Sequence, residues 1–344
     1  MPEMKSMRKF EASPVETLGP VLLAPILKQA RWGGARLETR FGKKLAAGQS
    51  CAESWEVADF DDCSSSIVGG SQDRRTLHDL MRDYSSELLG RFNGCSRFPL
   101  LCKFLDAADR LSVQVHPDDE YAARHGLRYG GKSEAWVILE ADPGSRIYAG
   151  LRPGVNRDVL QEAVQLGSVA ECLESQEVQS GDCFNIPAGT VHAIGEGILL
   201  AEIQQPSDVT FRLFDWNRTD ADGRLRPLHV AESLDCIDFE APIVRRAKPV
   251  RLSDASGIVE HLLRTPYFEI RRHRGSGGHV FEDDDRFHVL MVIEGLPSVT
   301  AGPETFELSA GRTVLLPARR PPTTLRLPPG AVVLDSFLPD LAGI

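Results

Sequence analysis

Short runs of β-branched, aromatic and aliphatic residues alternate with Gly, Pro and Asp clusters from Val21 onward. That punctuation predicts strands and tight turns for most of the chain. Three segments depart from it with helical spacing. Over 74–92, Leu77, Leu80, Met81, Leu88 and Leu89 fall on one helix face. A short helix is expected after Pro117, with Asp118, Asp119 and Glu120 in its first turn, where the helix dipole favours negative charge. Over 155–174, Val159, Leu160, Ala163, Val164 and Leu166 form an apolar stripe. Residues 1–19 are polar and proline-punctuated, and are expected to form a loosely held tail.

A weak internal repeat organises the strands. Residues 181–192 read G-D-C-F-N-I-P-A-G-T-V-H and residues 311–322 read G-R-T-V-L-L-P-A-R-R-P-P. Upstream, S-E-A-W-V-I-L-E-A (133–141) parallels F-H-V-L-M-V-I-E-G (287–295). Each half thus carries a strand ending near an acidic residue, followed by a Gly-strand-Pro-Ala unit. This is the rhythm of an antiparallel double-sheet barrel, the jelly roll of cupins. The expected fold class is mostly β: two cupin-type jelly-roll barrels with helical insertions in the N-terminal catalytic part. The boundaries read as a tail at 1–19, a catalytic barrel at 20–236 and a second, metal-free cupin-like barrel at 237–344.

Candidate chemistry sits in the first barrel. In L-S-V-Q-V-H-P (111–117), Leu111, Val113 and Val115 share one strand face, and Ser112, Gln114 and His116 share the other. Glu134 lies on the next predicted strand, and His192 follows the Pro187-Ala188-Gly189 turn. Two imidazoles, a carboxylate and an amide oxygen suit zinc with an exchangeable position. In the second copy Pro322 stands at the place of His192 and His288 at that of Glu134, with no Gln-x-His strand beside them. Only the first barrel is therefore expected to bind metal.

Composition narrows the class. The 344 residues are 42% hydrophobic and 26% charged, an ordinary globular balance, and the net charge of −10 argues against a nucleic-acid partner. No apolar run approaches the length needed to span a bilayer, and the N-terminus lacks a signal-like segment. Seven cysteines without a C-x-x-C pair read as reduced thiols in a cytoplasmic protein.

The segments L-S-V-Q-V-H-P-D-D-E-Y-A, G-K-S-E-A-W, G-D-C-F-N-I-P-A-G-T-V-H-A-I and E-I-Q-Q-P-S-D-V-T-F-R-L-F-D-W-N-R resemble, in order, the signature segments of type I phosphomannose isomerases, the shorter bacterial branch above all. The resemblance extends through R-W-G-G (31–34), A-E-S-W-E-V (52–57) and F-P-L-L-C-K-F-L-D-A (98–107), and covers most of residues 20–230. It implies one Zn2+ per chain on Gln114, His116, Glu134 and His192, with interconversion of mannose 6-phosphate and fructose 6-phosphate. It further implies Arg212 as a catalytic residue and Lys132 as a pocket cation, and sets Glu202 at the place of an acidic residue sometimes given an acid/base role. Ala52 stands where the family usually has Gly, which leaves the local turn geometry open.

Aldose–ketose isomerisation needs a base, a stabiliser of enediolate charge and an anchor for phosphate. Lys132, Arg212 and Arg218 are the natural phosphate candidates, and Ser112 a hydrogen-bond donor to substrate. The base stays open between Glu202 and Lys132, and so does direct against water-mediated contact of substrate with the ion. Asp118 and Asp119 read as helix-capping groups, residues 282–285 as a solvated acidic turn, and His273 and His279 as exposed residues beside a Gly-rich loop. Two rivals are an iron oxygenase on the same scaffold and a non-catalytic sugar-binding cupin.

Overall fold

The computed structural model describes residues 18–45, 49–219, 223–254 and 257–340, so nearly all of the expected tail at 1–19 lies outside the described residues. Two strand systems dominate it. The first barrel packs a five-stranded sheet (Leu173–Glu177, Arg146–Leu151, His192–Ile194, Val113–Val115, Phe211–Phe214, in spatial order) against a six-stranded one (Cys183–Ile186, Glu134–Ala141, Ile198–Gln204, Leu101–Ala107, Glu53–Val57, Ile26–Lys28). Ile147 and Ile194 of one sheet meet Leu105, Trp136, Ile138 and Leu200 of the other in its core. The second barrel is a ten-stranded sheet built mainly from residues 250–337.

The repeat read from sequence is a repeat of pairing. Cys183–Ile186 pairs antiparallel with Glu134–Ala141, setting Ile186 opposite Glu134. Thr313–Leu316 pairs in the same way with His288–Glu294, setting Leu316 opposite His288. Gly181 and Gly311 open both units with φ near +92° and +83°, a conformation that only glycine adopts freely. The sheets do not divide at residue 237, however. Val21–Ala24 pairs with Thr313–Leu316 (Val21 opposite Leu315) and with Ser66–Ile67, so two N-terminal strands extend the sheet of the C-terminal barrel.

The helix Leu77–Leu89 forms where the apolar spacing predicts it, with Thr76 and Asp79 making a reciprocal capping box and all five stripe residues buried. It packs into the core between the barrels, with Val137, Leu139 and Ile203 of one and Val289, Met291 and Leu315 of the other. The second stripe is only partly right. The helix there is Arg157–Leu166, ending at left-handed Gly167, and it buries Leu160 and Ala163 while Val159 and Leu166 stay exposed. A three-turn helix on the barrel's flank covers its partner with one narrow seam, and the outer edges of the stripe are left in water. No helix among the described residues is long and apolar enough to cross a membrane, and all seven cysteines are free.

Ala52 is fully buried and has an ordinary negative φ region; it fits because Gly33 lies against it, where a Cβ would stand 2.8 Å from the Ala52 backbone.

Candidate metal centre

Register brings the first-barrel candidates together. Gln114 is paired with His192 on one side and with Arg212 on the other, so the three stand in a row across the five-stranded sheet. Glu134 reaches them from the facing sheet: its Oε2 lies 3.4 Å from His116 Nε2 and its Oε1 3.3 Å from His192 Nε2. His116, Glu134 and His192 each offer a ligand atom within 4.8 Å of the others, and all three are buried.

Backbone carbonyls fix both rings. His116 Nδ1 donates to Val209 O at 2.8 Å and His192 Nδ1 to Thr190 O at 2.9 Å, which leaves each Nε2 lone pair directed at Glu134. Burial, reinforced by the Lys132 ammonium, pushes His116 down to about 3, and burial lowers His192 as well, so both are neutral and able to ligate. Burial alone would raise Glu134, but the Lys132 ammonium beside it outweighs that and holds the carboxyl well below the usual range. Gln114 Nε2 sits 3.5 and 3.3 Å from the two imidazole Nε2 atoms; a half-turn of the amide presents Oε1 to the same point.

This donor set fits a divalent cation. Both Glu134 oxygens are buried and accept no hydrogen bond of normal geometry, a costly state for a carboxylate unless a positive charge faces it. The nearest positive charge is Lys132, whose Nζ stands 2.8 Å from Glu134 Oε2 and 2.9 Å from His116 Nε2. The cluster thus already gathers a cation.

The other candidates divide. Arg212 is half-buried, donates from Nη1 to Pro227 O at 3.1 Å, and keeps a buried Nε without a partner. Ser112 is buried two residues before Gln114. Glu202 accepts from Trp136 Nε1 at 3.1 Å and pairs with Lys103 at 3.1 Å; burial raises its carboxyl above the usual value. Arg218 is engaged in four hydrogen bonds, to Asp109, Asp215 and the carbonyls of Arg110 and Asp215. Sequence reading passed over Lys103, Glu53 and Trp136, which tie Glu202 into the barrel wall. A lone lysine inside L-L-C-K-F-L was the available signal.

Comparison with known proteins settles the family. Residues 21–136 match the model of the phosphomannose isomerase type I catalytic domain. Mannose-6-phosphate isomerase ManA of Bacillus subtilis is 35% identical over 302 residues, covering 88% of this chain and 94% of that one. The chain belongs to the type I phosphomannose isomerase family. Another relative, mannose-6-phosphate isomerase of Streptococcus mutans, is 34% identical over 87% of this chain and 92% of its own. The crystal structure of the Bacillus subtilis mannose 6-phosphate isomerase superposes with a TM-score of 0.85 at 28% identity, covering 93% of this chain and 99% of that one. The match to this phosphomannose isomerase spans both barrels.

Outside that centre, two expectations need correction. His273 is buried and His279 half-buried, with their rings 4.6 Å apart. The long strand Glu269–Phe281 carries them through the Gly-rich stretch instead of looping out, its register shifting between Gly275 and Gly277. Asp284, from the acidic run, is not freely solvated: it pairs with Arg286 at 2.7 Å and faces His288 Nε2 at 3.4 Å.

Proposed function

We propose that this protein is a zinc-dependent mannose-6-phosphate isomerase of the cytoplasm, holding one ion per chain on Gln114, His116, Glu134 and His192. The observation that carries the reading is the pair of backbone-fixed imidazoles whose free nitrogens converge with the buried Glu134 carboxylate. The relatives' names supply mannose 6-phosphate, and aldose–ketose isomerisation of that sugar gives fructose 6-phosphate.

When bound, the ion would stabilise negative charge developing on substrate oxygen. The chain's own groups do the rest. Lys132 and Arg212 flank the cluster and supply positive charge for an anionic sugar, Arg212 through the free Nε on the row shared with Gln114 and His192. The base removes the C2 proton while the C1 carbonyl oxygen takes one up, giving an enediol(ate). Return of a proton to C1 with loss of one from the C2 hydroxyl leaves the ketose. Glu202 and Lys132 are the candidates for that base; burial raises the Glu202 carboxyl, which makes it a stronger proton acceptor than an ordinary carboxylate. Ser112 is assigned a hydrogen bond to substrate, and Arg218, already engaged by Asp109 and Asp215, a place at the rim.

The test is a coupled assay of purified protein with mannose 6-phosphate, before and after chelation, beside elemental analysis. The expected result is one zinc per chain and activity that chelation abolishes and zinc restores. Full turnover by metal-free protein would overturn the reading.

A further inference from the structure

Ser133 separates Lys132 from Glu134, and it is clamped on three sides. Its N–H donates to Gln205 Oε1 at 2.8 Å, its carbonyl accepts from Gln205 N at 3.1 Å, and its hydroxyl accepts from Ala188 N at 3.1 Å. The second of these bonds locks the same two residues from the backbone side. Gln205 is itself buried, and its Nε2 donates to the Asp119 carboxylate at 3.2 and 3.3 Å.

Asp119 was expected to cap the helix that follows Pro117, but Asp118 does so, accepting from Tyr121 N at 2.6 Å. The Asp119 carboxylate gathers three donors instead: Gln205 Nε2, Gly131 N at 2.9 Å and Tyr267 OH at 3.0 Å. Gly131 is pressed so close that a Cβ there would lie 2.6 Å from Asp119 N. Tyr267 comes from the second barrel, in a tight turn closed by Thr265 Oγ1 accepting from Tyr267 N and Phe268 N, with Phe268 sunk in the core between the barrels. Burial and the neighbouring carboxylate push the Tyr267 phenol up to about 12, so it stays a donor through the working range of pH.

We propose that Gln205 is a positioning residue, and that through Asp119 and Tyr267 the second barrel holds the segment carrying Lys132 and Glu134 in its working place. The second barrel then acts on the centre without touching metal or substrate. The effect on turnover rests on the isomerase reading; the effect on metal binding does not.

The experiment measures zinc affinity by competition with a chromophoric chelator, kcat and KM for mannose 6-phosphate, and Tm, for wild type, Tyr267→Phe, Gln205→Leu and the double variant. Tyr267→Phe is expected to lower kcat about three- to tenfold with KM unchanged, and to lower Tm by only the few degrees that one hydrogen bond is worth. Gln205→Leu is expected to weaken zinc binding roughly 10- to 100-fold, as loss of an outer support does, and the double variant is expected to be no worse than Gln205→Leu alone. Wild-type zinc affinity and kcat in both single variants, or effects that multiply in the double, would overturn the proposal. So would a kcat loss in Tyr267→Phe that vanishes when the assay is run well below that variant's Tm; that variant decides the matter if Gln205→Leu does not fold. A wild type that lacks isomerase activity while Gln205→Leu still loses zinc affinity sinks the isomerase reading and upholds the positioning role.

Discussion

The two barrels place titratable side chains at matching sheet positions and make opposite use of them. In the first, Glu134 and Glu202 face inward two residues apart in register; in the second, His288 and Asp335 hold the corresponding places. The first barrel ties each imidazole Nδ1 to a backbone carbonyl and leaves Nε2 free. The second commits both nitrogens of His288 to carboxylates, Nδ1 to Asp335 at 2.9 Å and Nε2 toward Asp284 at 3.4 Å. Burial would lower His288, yet Asp335 and Asp284 outweigh it and hold the ring above its usual value, the reverse of His116. Asp335, which burial would raise, is held far below the carboxylate range by His288 and His273. His288, with acids at both nitrogens, is held as an ion pair; His116 and His192, each braced by a carbonyl, keep a nitrogen free that could ligate. Residue type alone does not separate them, and the partner of the second nitrogen does.

That contrast can be broken at several points. The largest effect is expected from His192→Ala, which removes a proposed ligand in the first barrel: metal and activity should be lost together, by more than about 100-fold, in elemental analysis and the coupled assay. An active, metal-free variant would erase the distinction. Next is Asp335→Ala in the second barrel, which leaves the His288 charge buried beside a lost partner. Stability should fall by about 3–5 kcal/mol in denaturant unfolding, with zinc still bound by the molecules that remain folded. Arg212→Ala follows, expected to keep its zinc while kcat drops about 100-fold, the weight of one preorganised donor. Near-wild-type rates would take Arg212 out of the chemistry.

The smallest effect is the pH dependence of the second barrel. The raised His288 contributes fully below its unfolded value near 6.5 and loses its contribution as pH climbs through the folded value. The depressed Asp335 contributes above about 3.9 and loses its contribution on acidification through its folded value. The pair should therefore stabilise most between about pH 4 and 6.5, and His288→Gln should flatten the decline of stability above that window. An unchanged profile would remove the ion pair from the account.

What was legible in the sequence follows from where each signal lives. Gln114 and His116 share a strand face because alternation is local, and the Gly-strand-Pro-Ala unit carries its own turn residues, so its pairing with the upstream strand followed. Hidden features depend on partners far away in the chain. His273 reads as exposed beside glycines until the strand Thr323–Phe337 closes over it, and Asp284 looks solvated until Arg286 and His288 turn toward it. Lys103 is a stray charge in an apolar run until Glu202 and Glu53 flank it. Val159 and Leu166 continue a stripe whose neighbour is narrower than the stripe itself.

The strand Val21–Ala24 has its partner at Thr313–Leu316, almost the whole length of the polypeptide away. At ordinary translation rates, roughly 15–60 s separate the emergence of the two from the ribosome. Throughout that interval the early strand has an unsatisfied edge, and the nascent chain must keep it from pairing with a stranger. A strand made late thus completes the work of one made early, and a chain stopped short of it would carry that open edge for good.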